Sequence, residues 1–147
     1  MRFFFYADNL NPTQLKRRAP EHKFLFKAYL QDHTIGLSRF SSQWRCGLAN
    51  IVPSQGERVW GVVFEITDED LKLLDAFDGE VPEGTYRHLE VNVMTEDDQK
   101  ELVTTHVAQT IGKFRAKDHY LDFVGKGIKH WELPDEYLQM WELLRPR

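Results

Sequence analysis

The sequence is short of cysteine, of long apolar runs and of clustered positive charge, and each shortage excludes something. Cys46 stands alone in 147 residues, which rules out an internal disulfide framework and suits a reducing, cytoplasmic setting. The N-terminal apolar run, Phe3–Tyr6, is too short for the core of a signal peptide. No stretch approaches the length of a membrane span. The net charge is −4 and the only basic run is Lys16-Arg17-Arg18. Three basic residues in a row read as a solvated helix face, so neither nucleic acid nor a membrane is an expected partner. Dinucleotide-binding glycine patterns, a phosphate-binding loop and a serine-nucleophile elbow are all absent. The six histidines, at 22, 33, 88, 106, 119 and 130, show no paired spacing and there are no cysteine pairs, so no metal site is expected.

What is present describes one soluble domain. Hydrophobic residues make up 41% and charged residues 29%, enough apolar material to bury a core at this length. "RFFFY" (2–6) reads as a strand, followed by the turn chemistry of "ADNLNP". Asn11 and Pro12 form an N-cap and first-turn pair opening a short helix. Strands are expected at 23–31, 33–40, 47–52 and 59–66, with "SQGE" (54–57) as a turn. Thr67 caps a helix beginning "DEDLKLLDAFD". Alternation in "YRHLEVNVM" (86–94) and the run at 101–111 predict a hairpin across "DDQK". From about residue 116 the pattern turns helical, with Pro134 starting the last helix and Leu138, Trp141, Leu143 and Leu144 as its apolar stripe. The fold class is α+β, a small mixed sheet or barrel with helices outside.

The stretch "DAFDGEVPEGTY" (75–86) holds four carboxylates. On a helix from Asp68 to Asp78, Leu71, Leu74 and Asp78 share a face, while Asp75 turns toward the edge. An acid there meets apolar neighbours and the negative end of the helix dipole, just before Gly79. Both disfavour the anion and raise its pKa toward the range of a general acid/base. If the helix instead ends a turn earlier, Asp78 belongs to a solvated loop. Cys46, at the start of a strand, reads as a small core residue rather than a nucleophile.

Taken in order, these segments resemble the γ-glutamylcyclotransferase family. Its "YGSNL" loop is matched by "YADNL" (6–10), its "WGVV" strand by "VWGVVFEI" (59–66), and its "LDxxEG" helix end by "LLDAFDG" (73–79) before "GTY" (84–86). "WRCGLANI" (44–51) and "YLDFVGKGIKHWELPDEY" (120–137) complete the set, which spans nearly the whole chain. The resemblance implies a small mixed β-barrel with a cavity at its mouth and a small γ-glutamyl compound as substrate, with no cofactor or metal. It also implies the reaction: the substrate's own α-amine attacks its γ-carbonyl, releasing 5-oxoproline and a free amine. By the same resemblance, backbone N–H groups among Phe3, Phe4, Phe5, Tyr6, Ala7, Asp8 and Asn9 hold the glutamyl group or its oxyanion. Tyr120 contacts the substrate, and Asp78 moves the proton.

Four departures from the family pattern bear on the chemistry. Asp78 stands where the family has glutamate, and one extra residue before Tyr86 makes Glu80 the reserve proton carrier. Ala7 replaces glycine, which would strain any left-handed backbone there. Asp8 replaces serine, placing negative charge where an anionic substrate docks. It either grips the substrate's α-ammonium, marks another substrate, or caps the next turn. Arg87, beside the acidic turn, either supplies a counter-charge or is simply an exposed arginine. The alternative to an active cyclotransferase is a member that kept the fold, lost or changed catalysis, and binds a small polar ligand. The number of subunits is left open.

Overall fold

The computed structural model of the chain describes residues 1–41, 44–78 and 86–146, with Phe77 and Asp78 described in backbone only. Five strands close into a barrel: β1 (Arg2–Phe5), β2 (Lys23–Ser41), β3 (Cys46–Glu65), β4 (Tyr86–Thr95) and β5 (Lys100–Ala108). Around it lie α1 (Pro12–Arg18), α2 (Asp68–Asp78), α3 (Asp118–His130) and α4 (Asp135–Glu142). Among the described residues, no helix is long and apolar enough to cross a membrane.

The run of phenylalanines at the N-terminus forms β1, which closes the barrel between β3 and β5. β1 pairs antiparallel with β3 (Phe3 with Phe64, Phe5 with Val62) and parallel with β5 (Phe3 with Thr104, Phe4 with Thr105). A strand covered on both faces has no solvent side, so it carries no polar alternation. Phe3 and Phe4 are accordingly fully buried. Gly61 lets β1 come this close: a Cβ there would stand 2.2 Å from the Phe5 carbonyl oxygen.

The four expected central strands are two. Segments 23–31 and 33–40 join into β2, and 47–52 and 59–66 into β3, paired along nearly their whole length. The "SQGE" turn survives as a protrusion of β3. Gln31 pairs with Arg58 and His33 with Pro53, so Asp32 alone faces four residues. Asp32 (φ 61°) and Gly56 (φ 86°) absorb the bend, and Gly56 N–H donates to Asp32 Oδ1 at 2.9 Å. Turn residues facing each other on paired strands produce a bulge and not a chain reversal.

The hairpin of β4 and β5 forms with Tyr86 opposite Ala108. Buried Asn50 ties β3 to β5: its Nδ2 donates to the Ala108 carbonyl at 2.8 Å and its Oδ1 accepts from Ala108 N–H at 2.9 Å. Of the stripe expected in α4, Trp141 is fully buried beside Tyr137, and Leu138 and Leu144 pack partly buried against the core, but Leu143 is 82% exposed. Leu143 is the C-cap, still in helical conformation, and two residues on from Trp141 it lies about 200° around the helix from the packed face.

α2 spans Asp68–Asp78 as its periodicity predicts. Its first turn is closed reciprocally: Asp70 N–H donates to Thr67 Oγ1 at 3.0 Å, and Thr67 N–H to Asp70 Oδ2 at 3.2 Å. Thr67→Ala is expected to cost about 1 kcal/mol, read as a fall in Tm of about 2–4 °C. An unchanged melting curve would show that Asp70 alone holds this end.

Candidate functional site

The ends of β1 and β5, the starts of β3 and β4 and the end of β2 surround one cavity. Phe3, Phe4, Phe5, Tyr6, Ala7, Asp8 and Asn9 line one side of it. Ser41, Trp44, Leu48, Ala49, Tyr86, Thr105 and His106 line the rest, together with Arg18 from α1. The cavity thus mixes the apolar side chains of β1 and β3 with polar groups, among them Asp8, Asn9 and Arg18 where the chain leaves β1.

That departure is held from several sides. Tyr6 Oη donates to the His106 carbonyl at 2.8 Å, and Tyr137 Oη donates to the Tyr6 carbonyl. Asp8–Leu10 then form one 3-10 turn, closed by Leu10 N–H to the Ala7 carbonyl and Asn11 N–H to the Asp8 carbonyl, each at 3.0 Å. A first turn leaves its leading N–H groups without intrahelical partners. Among the described residues, those of Ala7, Asp8 and Asn9 donate to no protein acceptor. Ala7 has φ −132°, outside the left-handed region, so the strain expected of alanine here does not arise.

The next layer comes from α1 and α3. Asn11 caps α1, accepting from Thr13 N–H at 3.0 Å, while its Nδ2 donates to the Phe123 carbonyl at 2.9 Å. Trp131 Nε1–H donates to the Leu10 carbonyl at 2.8 Å. α3 thus carries the loop on its side, and Gly127 makes room for the backbone of Leu10 and Asn11.

Asp8 does not face the cavity uncompensated. Its Oδ2 accepts from Gln14 Nε2 and lies 3.6 Å from the Arg18 guanidinium, while Oδ1 accepts from Tyr120 Oη at 3.5 Å. Asn9 Oδ1 accepts from Gln14 Nε2 at 2.9 Å and from Arg18 at 3.3 Å. The turn-capping role considered for Asp8 is not seen. Its side chain reaches α1 and α3, and the 3-10 turn has no side-chain cap. Burial, and then the Asp8 charge, push the Tyr120 phenol well above its usual range. Tyr120 therefore stays a neutral donor toward Asp8 at ordinary pH.

Arg18 corrects the reading of the basic run. Lys16 and Arg17 are exposed, but Arg18 is buried and supplies the cation beside Asp8, while Arg87 is exposed. Gln14, Leu15, Arg18 and Ala19 are all buried, a stripe of i, i+1, i+4 and i+5. Helical spacing around Leu15 held that signal; the charge of the side chain hid it.

On the opposite rim, Asp75 of α2 meets two histidines. His88 Nε2 lies 3.0 Å and His106 Nε2 3.5 Å from Asp75 Oδ1, with the imidazoles stacked 5.0 Å apart at 20°. Spacing along the chain gives no hint of this trio, which arises from strand register, His88 opposite His106. Asp75 also brings the last turns of α2 to the cavity, since His106 lines it. Position 78 follows one helical turn later, about 4.5 Å of axial rise. The Asp78 side chain, and Glu80 altogether, lie outside the described residues.

Cys46 is buried at the first position of β3, and burial raises its thiol pKa, which disfavours a nucleophilic thiolate.

Comparison with known proteins adds lineage. Residues 58–141 match the model of the AIG2-like family. Mouse and human proteins named gamma-glutamylcyclotransferase are each 28% identical over 148 aligned positions, covering 98% of this chain and 78% of theirs. A solved structure described as gamma-glutamyl cyclotransferase superposes with a TM-score of 0.89 at 28% identity, over 100% of this chain and 89% of that one. A human structure described as an uncharacterized protein gives 0.90 at the same identity, over 99% and 88%.

Proposed function

The chain belongs to the AIG2-like family, and from that premise we propose that it is a γ-glutamylcyclotransferase converting a γ-glutamyl compound into 5-oxoproline and a free amine. The observation that carries the reading is the loop of residues 7–9, whose three N–H groups turn from the described protein acceptors beside a cavity. Relatives of that name are similar over nearly the whole chain.

The substrate holds both nucleophile and electrophile, so the protein's part is to fold it, stabilise an oxyanion and move one proton. Asp78 takes a proton from the substrate's α-ammonium. The freed amine attacks the γ-carbonyl carbon, and a new C–N bond closes the five-membered ring. The carbonyl oxygen gains negative charge, and N–H groups of the 7–9 loop stabilise it. Asp78 then gives the proton to the departing nitrogen as the old C–N bond breaks, and the ring nitrogen sheds its second hydrogen as a proton that ends on the released amine as its ammonium form. The acid ends in its starting state, and Glu80 is the reserve for the same task. Holding amine and carbonyl within reach supplies the proximity contribution.

Arg18 and Asp8 give the cavity opposite charges 3.6 Å apart. A glutamyl head group carries an α-carboxylate and an α-ammonium, which such a pair complements. Arg18→Gln is expected to raise KM for a γ-glutamyl compound about tenfold, the loss of one charge-assisted hydrogen bond, with a smaller change in kcat. An unchanged KM would place the head group elsewhere.

The deciding experiment incubates the protein with a panel of γ-glutamyl amino acids, amines and peptides and follows 5-oxoproline. Product release supports the reading. Absence of turnover throughout, beside calorimetric binding of a γ-glutamyl compound, favours the alternative of a ligand-binding member, for which the altered positions Ala7, Asp8 and Asp78 speak.

A further inference from the structure

Three side chains with metal-ligating atoms converge where no sequence motif announces them. Asp75 comes from α2, His88 from β4 and His106 from β5, and their ligating atoms all lie within 4.8 Å of one another. Zinc binds nitrogen and oxygen ligands at about 2.0–2.2 Å, so neighbouring ligand atoms on a tetrahedron stand about 3.3–3.6 Å apart. The two edges that meet at Asp75 Oδ1 measure 3.0 Å and 3.5 Å. Two edges of a zinc tetrahedron are therefore nearly in place before any ion enters.

From this geometry we propose that Asp75, His88 and His106 form a binding site for a transition-metal ion of the zinc class, with an outward coordination position left to water. Two imidazoles and one carboxylate select such an ion over calcium or magnesium, which take oxygen ligands. The site is open to entry, because the side chains of Asp75 and His88 are 49% and 38% exposed, while His106 at 11% anchors its inner side. His88 and His106 are held parallel by the β4–β5 ladder and by stacking, so little side-chain freedom is lost on binding. The bound ion joins the end of α2 to the hairpin at the rim of the cavity. Metal binding does not depend on the cyclotransferase reading and is measured without substrate.

The test uses the untagged full chain freed of metal with a chelator. Titration with Zn²⁺ in a calorimeter at about pH 7.5 is expected to show one equivalent bound with micromolar or tighter Kd. Co²⁺ is expected to give the intense visible absorption of four-coordinate geometry, and Mg²⁺ to leave both signals unchanged. His88→Ala and Asp75→Asn each weaken Zn²⁺ at least tenfold, whereas His33→Ala and His130→Ala, on distant surfaces, do not. Far-UV circular dichroism and Tm of the metal-free variants separate lost ligation from lost folding, and Asp75→Asn preserves side-chain shape. Zn²⁺ affinity unchanged in both His88→Ala and Asp75→Asn, or weakened equally by His33→Ala, overturns the proposal. The trio is then a plain hydrogen-bonded cluster, both Nε2–H groups donating to one carboxylate oxygen.

Discussion

Asp78→Asn is expected to lower 5-oxoproline formation by about 10²–10⁴-fold, the contribution of one positioned acid/base, while the melting curve stays within about 2 °C of wild type. The amide keeps the shape of the carboxyl group but can neither take the ammonium proton nor return it to the leaving nitrogen. Ligand binding should survive, because loop 7–9 and Arg18 are untouched; kcat falls and KM moves little. Glu80→Gln serves as the paired measurement. If turnover collapses there and persists in Asp78→Asn, the proton carrier is Glu80. Loss in neither variant would remove the carboxylate mechanism. The position draws its importance from α2, which is capped at Thr67, runs to Asp78 and touches the cavity wall through Asp75 and His106.

Gly127→Ala carries the largest expected effect on stability. A Cβ at this position would stand 2.4 Å from the Leu10 carbonyl carbon and 2.6 Å from both Asn11 N and Leu10 O. All three are backbone atoms, so no side chain can swing aside. Either α3 moves out or the 8–11 turn moves in. Overpacking of this kind costs about 3 kcal/mol or more, a fall in Tm of about 6–12 °C. Trp131 and Phe123 of the α3 region hold the same turn, so activity should fall with stability through a displaced 7–9 loop. Gly125→Ala, two residues earlier in the same helix, is the control. There a Cβ meets only Leu138 Cδ1 at 3.6 Å, an ordinary contact. Alanine should stabilise the helix by about 0.5–1 kcal/mol. Opposite signs at two helical glycines test whether close backbone approach, and not helix propensity, governs this region. A stable, active Gly127→Ala would mean that α3 is not what holds the loop.

Much of the local structure is legible in the sequence because its causes are local. The Thr67 cap and the bounds of α2 follow from residues within a turn of each other. So do the Asn11–Pro12 start of α1 and the alternation of β4. The merging of four expected strands into two is a failure of the same local reasoning. Turn residues at 54–57 do mark a disruption, but chain reversal or bulge depends on what lies across the ladder. Asp32, with its own positive φ, lies there. Leu143 fails for a different reason, since a step of two residues from Trp141 turns it about 200° away from the packed face.

By itself, then, the sequence determined the kinds of element, the barrel class and the ordered motifs that tie the chain to its family. Tertiary structure alone decided that the inward-facing Arg18 meets Asp8, that Ala7 stays outside the left-handed region, and that His88, His106 and Asp75 share one point in space. The physical reason is the range of the interactions. Caps, turns and amphipathic faces are set by neighbours within about four residues. The meeting of His88 with His106 depends instead on the register between two strands, and a shift of one residue would turn either side chain to the opposite face.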